Sequence, residues 1–245
     1  MCGRFAFHQE IDALVDDLDA VDLTDGALTS RFNIPPTAPI HIVTESVDRD
    51  TGELVRALRI ARWGLLPPFA KDEAFSSKTF NARVESLADK PSFRGSLKSR
   101  RAIIPVSGYY EWTPVEGQKR KQANMIRRAD HRPMLMAGLV AWWKGEGKNE
   151  GPAAYDDGEW LLTATIITAE AEGSMAQIHS RIPVILTRDG AKEWLKQDSF
   201  ETGREAHDWI NTQAPRVPNG DLEVYAVDPA VGNVQAQGPH LMDPV

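Results

Sequence analysis

The second residue of this chain is its only cysteine, in the run MCGRF at positions 1–5. Once Met1 is removed, Cys2 carries a thiol and a free α-amine on adjacent carbons. The thiolate is a strong nucleophile, and the α-amine has a reference pKa of about 8, so part of it is neutral at physiological pH. This pair could convert an aldehyde into a Schiff base and then into a five-membered thiazolidine ring. The alternative interpretation is an inert core residue, because free cysteines are usually buried.

Three further segments carry side chains suited to chemistry. Asn81 and Arg83 alternate in an extended segment and so share one face, where they could hold a sugar and its phosphate. Glu111 stands between aromatic residues after the apolar run 102–106, and partial burial would raise its pKa and suit it to acid/base catalysis. His179 immediately precedes an apolar run, and histidine is the usual proton carrier near neutral pH.

Each of these side chains has a structural alternative. Asn81 and Arg83 could be solvated loop residues. Glu111 could be exposed at a turn, since glutamate is seldom buried without a partner. His179 could be satisfied by hydrogen bonds in a core or loop. The residue types therefore define candidates for a site and leave both interpretations open.

The composition describes a folded, acidic protein. Of 245 residues, 42% are hydrophobic, and the net charge is −7. One cysteine fits a reducing compartment, and the chain shows neither a signal-peptide pattern nor an apolar run of about 18 residues, so we expect a cytoplasmic protein. The net charge argues against a broad basic surface, although arginines gathered around 56–62, 94–101 and 127–132 permit a local anion site.

The elements that must position these residues are mostly strands. Apolar runs predict strands at 40–44, 54–63, 101–106, 133–141, 160–168 and 222–227, and helical patterns predict helices at 9–22, 169–178 and 189–197. The proline-rich segment 31–39 predicts an extended loop. Together they predict an α+β fold: a single domain spanning 1–245 with a curved, mainly antiparallel β-sheet or open barrel core flanked by a few helices.

Common cofactor signatures are absent from the sequence. It contains no Gly-rich phosphate loop, no His-Glu-x-x-His, no paired cysteines and no Gly-x-Ser-x-Gly. We therefore expect no metal and no nucleotide cofactor.

Taken together, the segments resemble the SRAP family (SOS response-associated peptidase, also called abasic-site-processing proteins). The resemblance runs in order along nearly the whole chain. It includes MCGRF at 1–5, RFNIPPT at 31–37, WGLLP at 63–67, NARVES at 81–86, RAIIPVSGYYEW at 101–112, HSRIPVIL at 179–186 and the tail at 228–245. Each motif is weak alone, but their order together with cysteine at position 2 is specific.

The resemblance implies a protein that binds single-stranded DNA and cross-links to abasic sites. Cys2 would attack the C1′ aldehyde of the ring-open sugar and end as a thiazolidine. Asn81 would bind the sugar or the adduct, and Glu111 and His179 would be two acid/base residues. The implied DNA contacts are Arg4 and Arg83 to phosphates, Trp63 and Phe69 to bases, and Asn33, Thr168 and Arg181 around the same pocket.

Two alternatives from other functional classes remain open. One is a cysteine peptidase using Cys2, His179 and Glu111, including self-removal of Met1. The other is a non-covalent binder of single-stranded DNA. Strand-nicking lyase chemistry would follow if the Schiff base lingered. We expect a monomer whose partner is single-stranded DNA with abasic sites, with replication-fork components as further candidates and with no membrane partner.

Overall fold

A computed structural model describes residues 2–48, 51–117, 119–145, 149–155 and 158–245. These residues form fifteen strands: β1 (Phe5–Phe7), β2 (Val21–Asp22), β3 (Arg31–Ile34), β4 (Pro39–Val47), β5 (Leu54–Trp63), β6 (Asn81–Arg83), β7 (Arg101–Val106), β8 (Gly108–Thr113), β9 (Gln122–Arg128), β10 (Met134–Trp143), β11 (Ala154–Tyr155), β12 (Trp160–Glu170), β13 (Arg181–Pro183), β14 (Ile185–Leu186) and β15 (Leu222–Ala226). They also form four α-helices: α1 (Ile11–Leu18), α2 (Pro91–Arg94), α3 (Arg188–Leu195) and α4 (Gly203–Thr212). None of the described helices is both long and apolar enough to cross a membrane.

Ten of the described strands form one curled sheet, and five of these close into a ring. The ring runs β4, β5, β12, β10, β7 and back to β4. All its pairings are antiparallel except the closing one, in which β12 pairs in parallel with β5 through Thr163–Arg62 and Ala164–Trp63. The predicted α+β class with a curved, mainly antiparallel sheet is confirmed.

The inside of the ring is an apolar core. Ile42, Ile104, Met136 and Ile166 from four of its strands share one face of the sheet and are fully buried, and burying such a side chain stabilises the fold by about 1.5–3 kcal/mol. The packing is close at Gly138, where an added Cβ would lie 2.2 Å from Ile104 Cδ1. The core therefore holds the ring strands in fixed positions relative to one another.

A second sheet stands beside the ring. Its strand order is β15-β9-β8-β1-β3, and it carries Cys2 just before β1 and Glu111 within β8. The C-terminal segment covers β3 of this sheet, since the buried amide of Asn33 donates to the carbonyls of Val231, Asn233 and Ala236 at 3.1, 2.8 and 3.0 Å. The tail thus anchors the sheet that positions the N-terminus.

Most predicted elements are found. The strands predicted from apolar runs are confirmed with ends shifted by a few residues, and the helices predicted at 9–22 and 189–197 are confirmed as the shorter α1 and α3. The helix predicted at 169–178 is wrong, because β12 continues to Glu170 and a short 3₁₀ turn follows at Gly173–Gln177. In the predicted loop 31–39, residues 31–34 form β3, and α4 had no sequence prediction.

Arg101 is a fully buried arginine at the start of β7. Its guanidinium donates to the carbonyls of Trp194 at 2.6 Å and Leu97 at 3.1 Å, and also to those of Lys98 and Lys196. This arginine of the 94–101 cluster therefore faces the interior and fastens the end of α3 to the ring.

Replacing Arg101 with methionine should lower the free energy of unfolding by at least about 3 kcal/mol, because buried carbonyls lose their donors. Arg100→Met is the matched control. Arg100 donates one hydrogen bond to Gly95 at the surface, and its replacement should change stability by no more than about 0.5 kcal/mol. Urea unfolding measures both, and equal stabilities would contradict the assigned role of Arg101.

Candidate active site

The pairing of β1 with β8 places Cys2. Phe5 pairs with Tyr109, and the backbone N–H of Tyr110 donates to Arg4 O at 2.9 Å. Continuing this antiparallel register sets the residue next to Cys2 opposite Glu111. The thiol-bearing residue and the predicted acid/base carboxyl therefore lie at the same end of the second sheet.

The C-terminal end of β12 pairs with the strands that position Asn81 and His179. There β12 pairs in parallel with β6, through Ile166–Asn81, and in antiparallel with β13, through Glu170–Arg181. Asn81 Nδ2 donates to Cys2 O at 2.6 Å and so joins the ring to the N-terminus. Asn81 Oδ1 is buried and accepts no hydrogen bond from the described part of the chain, which leaves an acceptor for a ligand.

The Cys2 thiol is fully buried. Burial raises its pKa well above the ordinary value, and the negative charge of Glu111 adds to the shift. The positive charge of the N-terminus and the backbone N–H of Arg4 act in the opposite direction. The net result is a thiol that stays protonated at neutral pH.

Glu111 is only 6% exposed. Burial raises the pKa of its carboxyl to about 7, while the positive charges of the N-terminus and Lys121 oppose this shift. The predicted burial and raised pKa of Glu111 are confirmed. A carboxyl with this pKa exchanges protons readily at neutral pH, as an acid/base catalyst must.

His179 lies just before β13 and is partly buried. Its Nδ1 accepts the backbone N–H of Arg181 at 2.9 Å. Burial lowers the pKa of His179, and the positive charges of the N-terminus, Lys121 and Arg181 lower it further. The imidazole is therefore neutral at pH 7.

Arg181 is committed to contacts within the protein. Its guanidinium forms two hydrogen bonds to the Glu85 carboxylate, at 2.7 and 2.9 Å, and one to Thr168 O at 2.6 Å. The Thr168 side chain is fully buried, with Oγ1 3.5 Å from Ala82 O. Thr168 therefore contributes its backbone carbonyl to this arrangement, and its hydroxyl does not line an open pocket.

Arg4 is anchored by the tail. Its Nη1 donates to Asn33 Oδ1 at 2.7 Å and to Val231 O at 2.8 Å, and its guanidinium carbon lies 5.7 Å from the ring centroid of Trp112. Asn33 is fully buried and points to the C-terminal segment. It supports Arg4 from behind, which corrects the expectation that Asn33 lines the pocket.

The two aromatic residues predicted at the DNA surface have different positions. Trp63 is fully buried, its ring is 4.8 Å from that of Phe5, and its Nε1 donates to Phe80 O at 2.9 Å. A base cannot stack on it in this position, which corrects the prediction for Trp63. Phe69 is 56% exposed, and Arg83 is exposed on β6, so both are accessible to a ligand.

Sequence reasoning missed three residues of the site. Tyr109 is buried beside Cys2 and Glu111, and its pKa is raised by burial first and then by its electrostatic interactions with these two residues. Lys121 is exposed, and its charge acts on both Glu111 and His179. Glu85 binds Arg181. The sequence carried one signal for these residues: the basic run at 119–121, in the hairpin that follows Glu111, indicated Lys121.

No three His, Cys, Asp or Glu side chains in the described ranges are grouped as they would have to be to hold a metal ion.

Curated relatives match almost the full chain. The abasic site processing protein YoqW of Bacillus subtilis (strain 168) is 33% identical over 245 residues, covering 99% of both chains. The abasic site processing protein YedK of Escherichia coli (strain K12) is 30% identical over 249 residues, covering 100% of both. The abasic site processing protein HMCES of Gallus gallus is 29% identical over 246 residues, covering 91% of this chain and 68% of that protein.

Solved structures share the fold. A crystal structure of a protein from Bacteroides thetaiotaomicron matches with a TM-score of 0.77 at 19% identity, covering 100% of both chains. A second, from Bordetella bronchiseptica, has a TM-score of 0.71 at 22% identity and covers 93% of this chain. The family model described as SOS response associated peptidase (SRAP) matches residues 1–234. The chain therefore belongs to the SRAP family.

Proposed function

We propose that this protein binds single-stranded DNA and forms a covalent thiazolidine cross-link to abasic sites through Cys2 after removal of Met1. The observation that carries the proposal is the grouping around Cys2. Asn81 holds its carbonyl at 2.6 Å, and Glu111, with a pKa of about 7, acts on its thiol. Relatives over the full chain are named abasic site processing proteins, which supports an abasic site as the substrate.

The chemistry proceeds in three steps: opening of the sugar ring, condensation of the aldehyde with the amine, and addition of the thiol. Glu111 in its protonated form donates to the ring oxygen as the sugar opens, and the C1′ hydroxyl gives its proton to the carboxylate so formed, which exposes the C1′ aldehyde. The Cys2 amine adds to the aldehyde carbon and loses one water to give the Schiff base. The thiol then adds to the same carbon, and its proton goes to the nitrogen, so the thiazolidine forms with the net loss of one water. Asn81 Oδ1 is available to accept a hydrogen bond from the sugar or the adduct.

The DNA contacts follow from the accessible residues. Arg83 and Lys121 supply positive charge at the edge of the site, and Phe69 offers a ring for stacking. Charge and stacking bind without regard to base sequence, which suits a substrate nucleotide that has lost its base. The abasic site also needs no base flipping.

The protonation state of Cys2 distinguishes this proposal from a cysteine peptidase. A peptidase nucleophile is a thiolate, and its pKa is lowered by a neighbouring cation. Burial raises the pKa of Cys2 instead. A thiol that stays neutral until a Schiff base forms beside it fits ring closure better than attack on a peptide bond.

Cys2→Ser should abolish a heat-stable cross-link, because the oxygen analogue closes a much less stable ring. The assay is a denaturing gel of untagged protein with a single-stranded oligonucleotide carrying one abasic site, beside an intact-base control. An alanine inserted between Met1 and Cys2 keeps the thiol but blocks its amine, and should also give no stable band. An undiminished band from either variant would contradict the thiazolidine.

The contribution of Glu111 should depend on pH. Its carboxyl is protonated below about pH 7 and ionised above it, so an acid that donates to the ring oxygen loses its effect as pH rises. The ratio of wild-type to Glu111→Gln cross-linking rates should be about a hundredfold at low pH and should fall through about pH 7. The ratio of the two rates removes the effect of the Cys2 amine, because its titration changes both rates by the same factor.

Glu116→Gln is the matched control, because Glu116 is exposed in the hairpin that follows β8. It should cross-link at the wild-type rate across the pH range. Both variants should bind undamaged single strands as the wild type does. A parallel loss of DNA binding and cross-linking in Glu111→Gln would assign Glu111 to binding or folding instead.

Phe69→Ala should weaken binding to an undamaged single strand by about 1–3 kcal/mol, the value of one base stacked on an aromatic ring. Val47→Ala removes a similarly exposed apolar side chain, 59% against 56%, and should leave binding unchanged. Fluorescence anisotropy with a labelled oligonucleotide measures both. Equal affinities would exclude stacking on Phe69.

A further inference from the structure

The hydrogen bond at His179 Nδ1 determines which nitrogen carries the proton. Nδ1 accepts the backbone N–H of Arg181 at 2.9 Å, so its lone pair is occupied. A neutral imidazole has one N–H, and here that hydrogen must be on Nε2. His179 therefore presents a hydrogen-bond donor, and not an acceptor, at Nε2.

Hydrogen bonds of the Arg181 side chain hold the Arg181 backbone in place, and its N–H makes the hydrogen bond to His179. The Arg181 guanidinium, whose side chain is only 13% exposed, joins the Glu85 carboxylate to Thr168 O. Glu85 follows β6, Thr168 lies in β12, and Arg181 opens β13. The three elements that meet at the end of β12 are thus fastened together beside His179.

We propose that His179 acts in this reaction as a neutral hydrogen-bond donor through Nε2–H, with Arg181 and Glu85 as positioning residues that fix its tautomer. The inference rests on the proposed cross-linking function and divides the work between the two candidate acid/base residues. Glu111 moves the proton. His179 stabilises negative charge on a sugar oxygen without changing its own protonation state.

The charges around His179 support this division. The charges that lower its pKa come from the N-terminus, Lys121 and Arg181, and all three are positive. Each disfavours the imidazolium ion. Protonation at Nδ1 would also set a second hydrogen against that of the Arg181 N–H, and the hydrogen bond between the two groups would be lost. A neutral imidazole used as a donor is an established catalytic arrangement in other enzymes.

The test compares glutamine and leucine at position 179. The glutamine amide donates a hydrogen bond but does not titrate between pH 5 and 9. His179→Leu should lose about a hundredfold in cross-linking rate, the cost of one donor to a developing oxyanion. His179→Gln should remain at least about tenfold faster than His179→Leu. Equal rates for the two variants would overturn the donor role and favour a proton shuttle.

A second measurement needs no DNA and stays informative if cross-linking itself is not observed. The ¹⁵N signals of His179 in the free protein should report a bare Nδ1 and a protonated Nε2 from pH 7 to 8. In Glu85→Ala this tautomer should lose population. Asp17→Ala is the matched control, since Asp17 is as exposed as Glu85 (47% against 48%) and pairs with Arg188. A protonated Nδ1 in the wild type, or an unchanged tautomer in Glu85→Ala, would overturn the proposal.

Discussion

The exclusion of water from the N-terminal end of β1 is the constraint on which the site depends. Burial raises the pKa of the Cys2 thiol, the Glu111 carboxyl and the Tyr109 hydroxyl, and lowers the pKa of His179. Every one of these shifts disfavours a charged side chain. The site therefore consists of a neutral thiol, a neutral imidazole and a carboxyl near its midpoint, beside an amine. These are the forms that the proposed condensation of an aldehyde with the amine and the thiol would use.

The fold provides this dry environment by joining two sheets. The closed ring is rigid because it is filled with apolar side chains, and the far end of β12 extends from it to pair with β6 and β13. Asn81 begins β6, and His179 lies just before β13. The second sheet delivers Cys2 and Glu111 from the other side, and the hydrogen bond from Asn81 to Cys2 O joins the halves.

The sequence predicted those parts of the fold that local patterns encode. Strands such as β7 and β12 are apolar runs, and α1 has a clear apolar face. The helix α4 was missed although its buried residues, Ala206, His207 and Ile210, are spaced as on one helical face. The segment 169–178 has a helix-like composition, yet the sheet extends through Glu170 and Gly173 adopts φ +57°. Here tertiary pairing outweighs local preference.

The site was predictable by residue type but not by orientation. Residue chemistry made Cys2, Asn81, Glu111 and His179 candidates, each with a structural alternative, and the family resemblance selected them. The burial of Trp63 was not, because a motif names an aromatic residue without saying which side of the sheet it faces. The Glu85–Arg181 pair joins residues 96 positions apart, and no periodicity relates such distant residues. Only the structure shows that Arg181 braces His179.

The central claim is that the α-amine and thiol of Cys2 together capture the aldehyde. The most direct measurement is the mass of the cross-linked product, intact and after digestion to peptides. The account predicts a protein lacking Met1, joined to the oligonucleotide with the loss of one water, and an adduct confined to the N-terminal peptide. An adduct on a lysine such as Lys121, or on a chain that retains Met1, would contradict it.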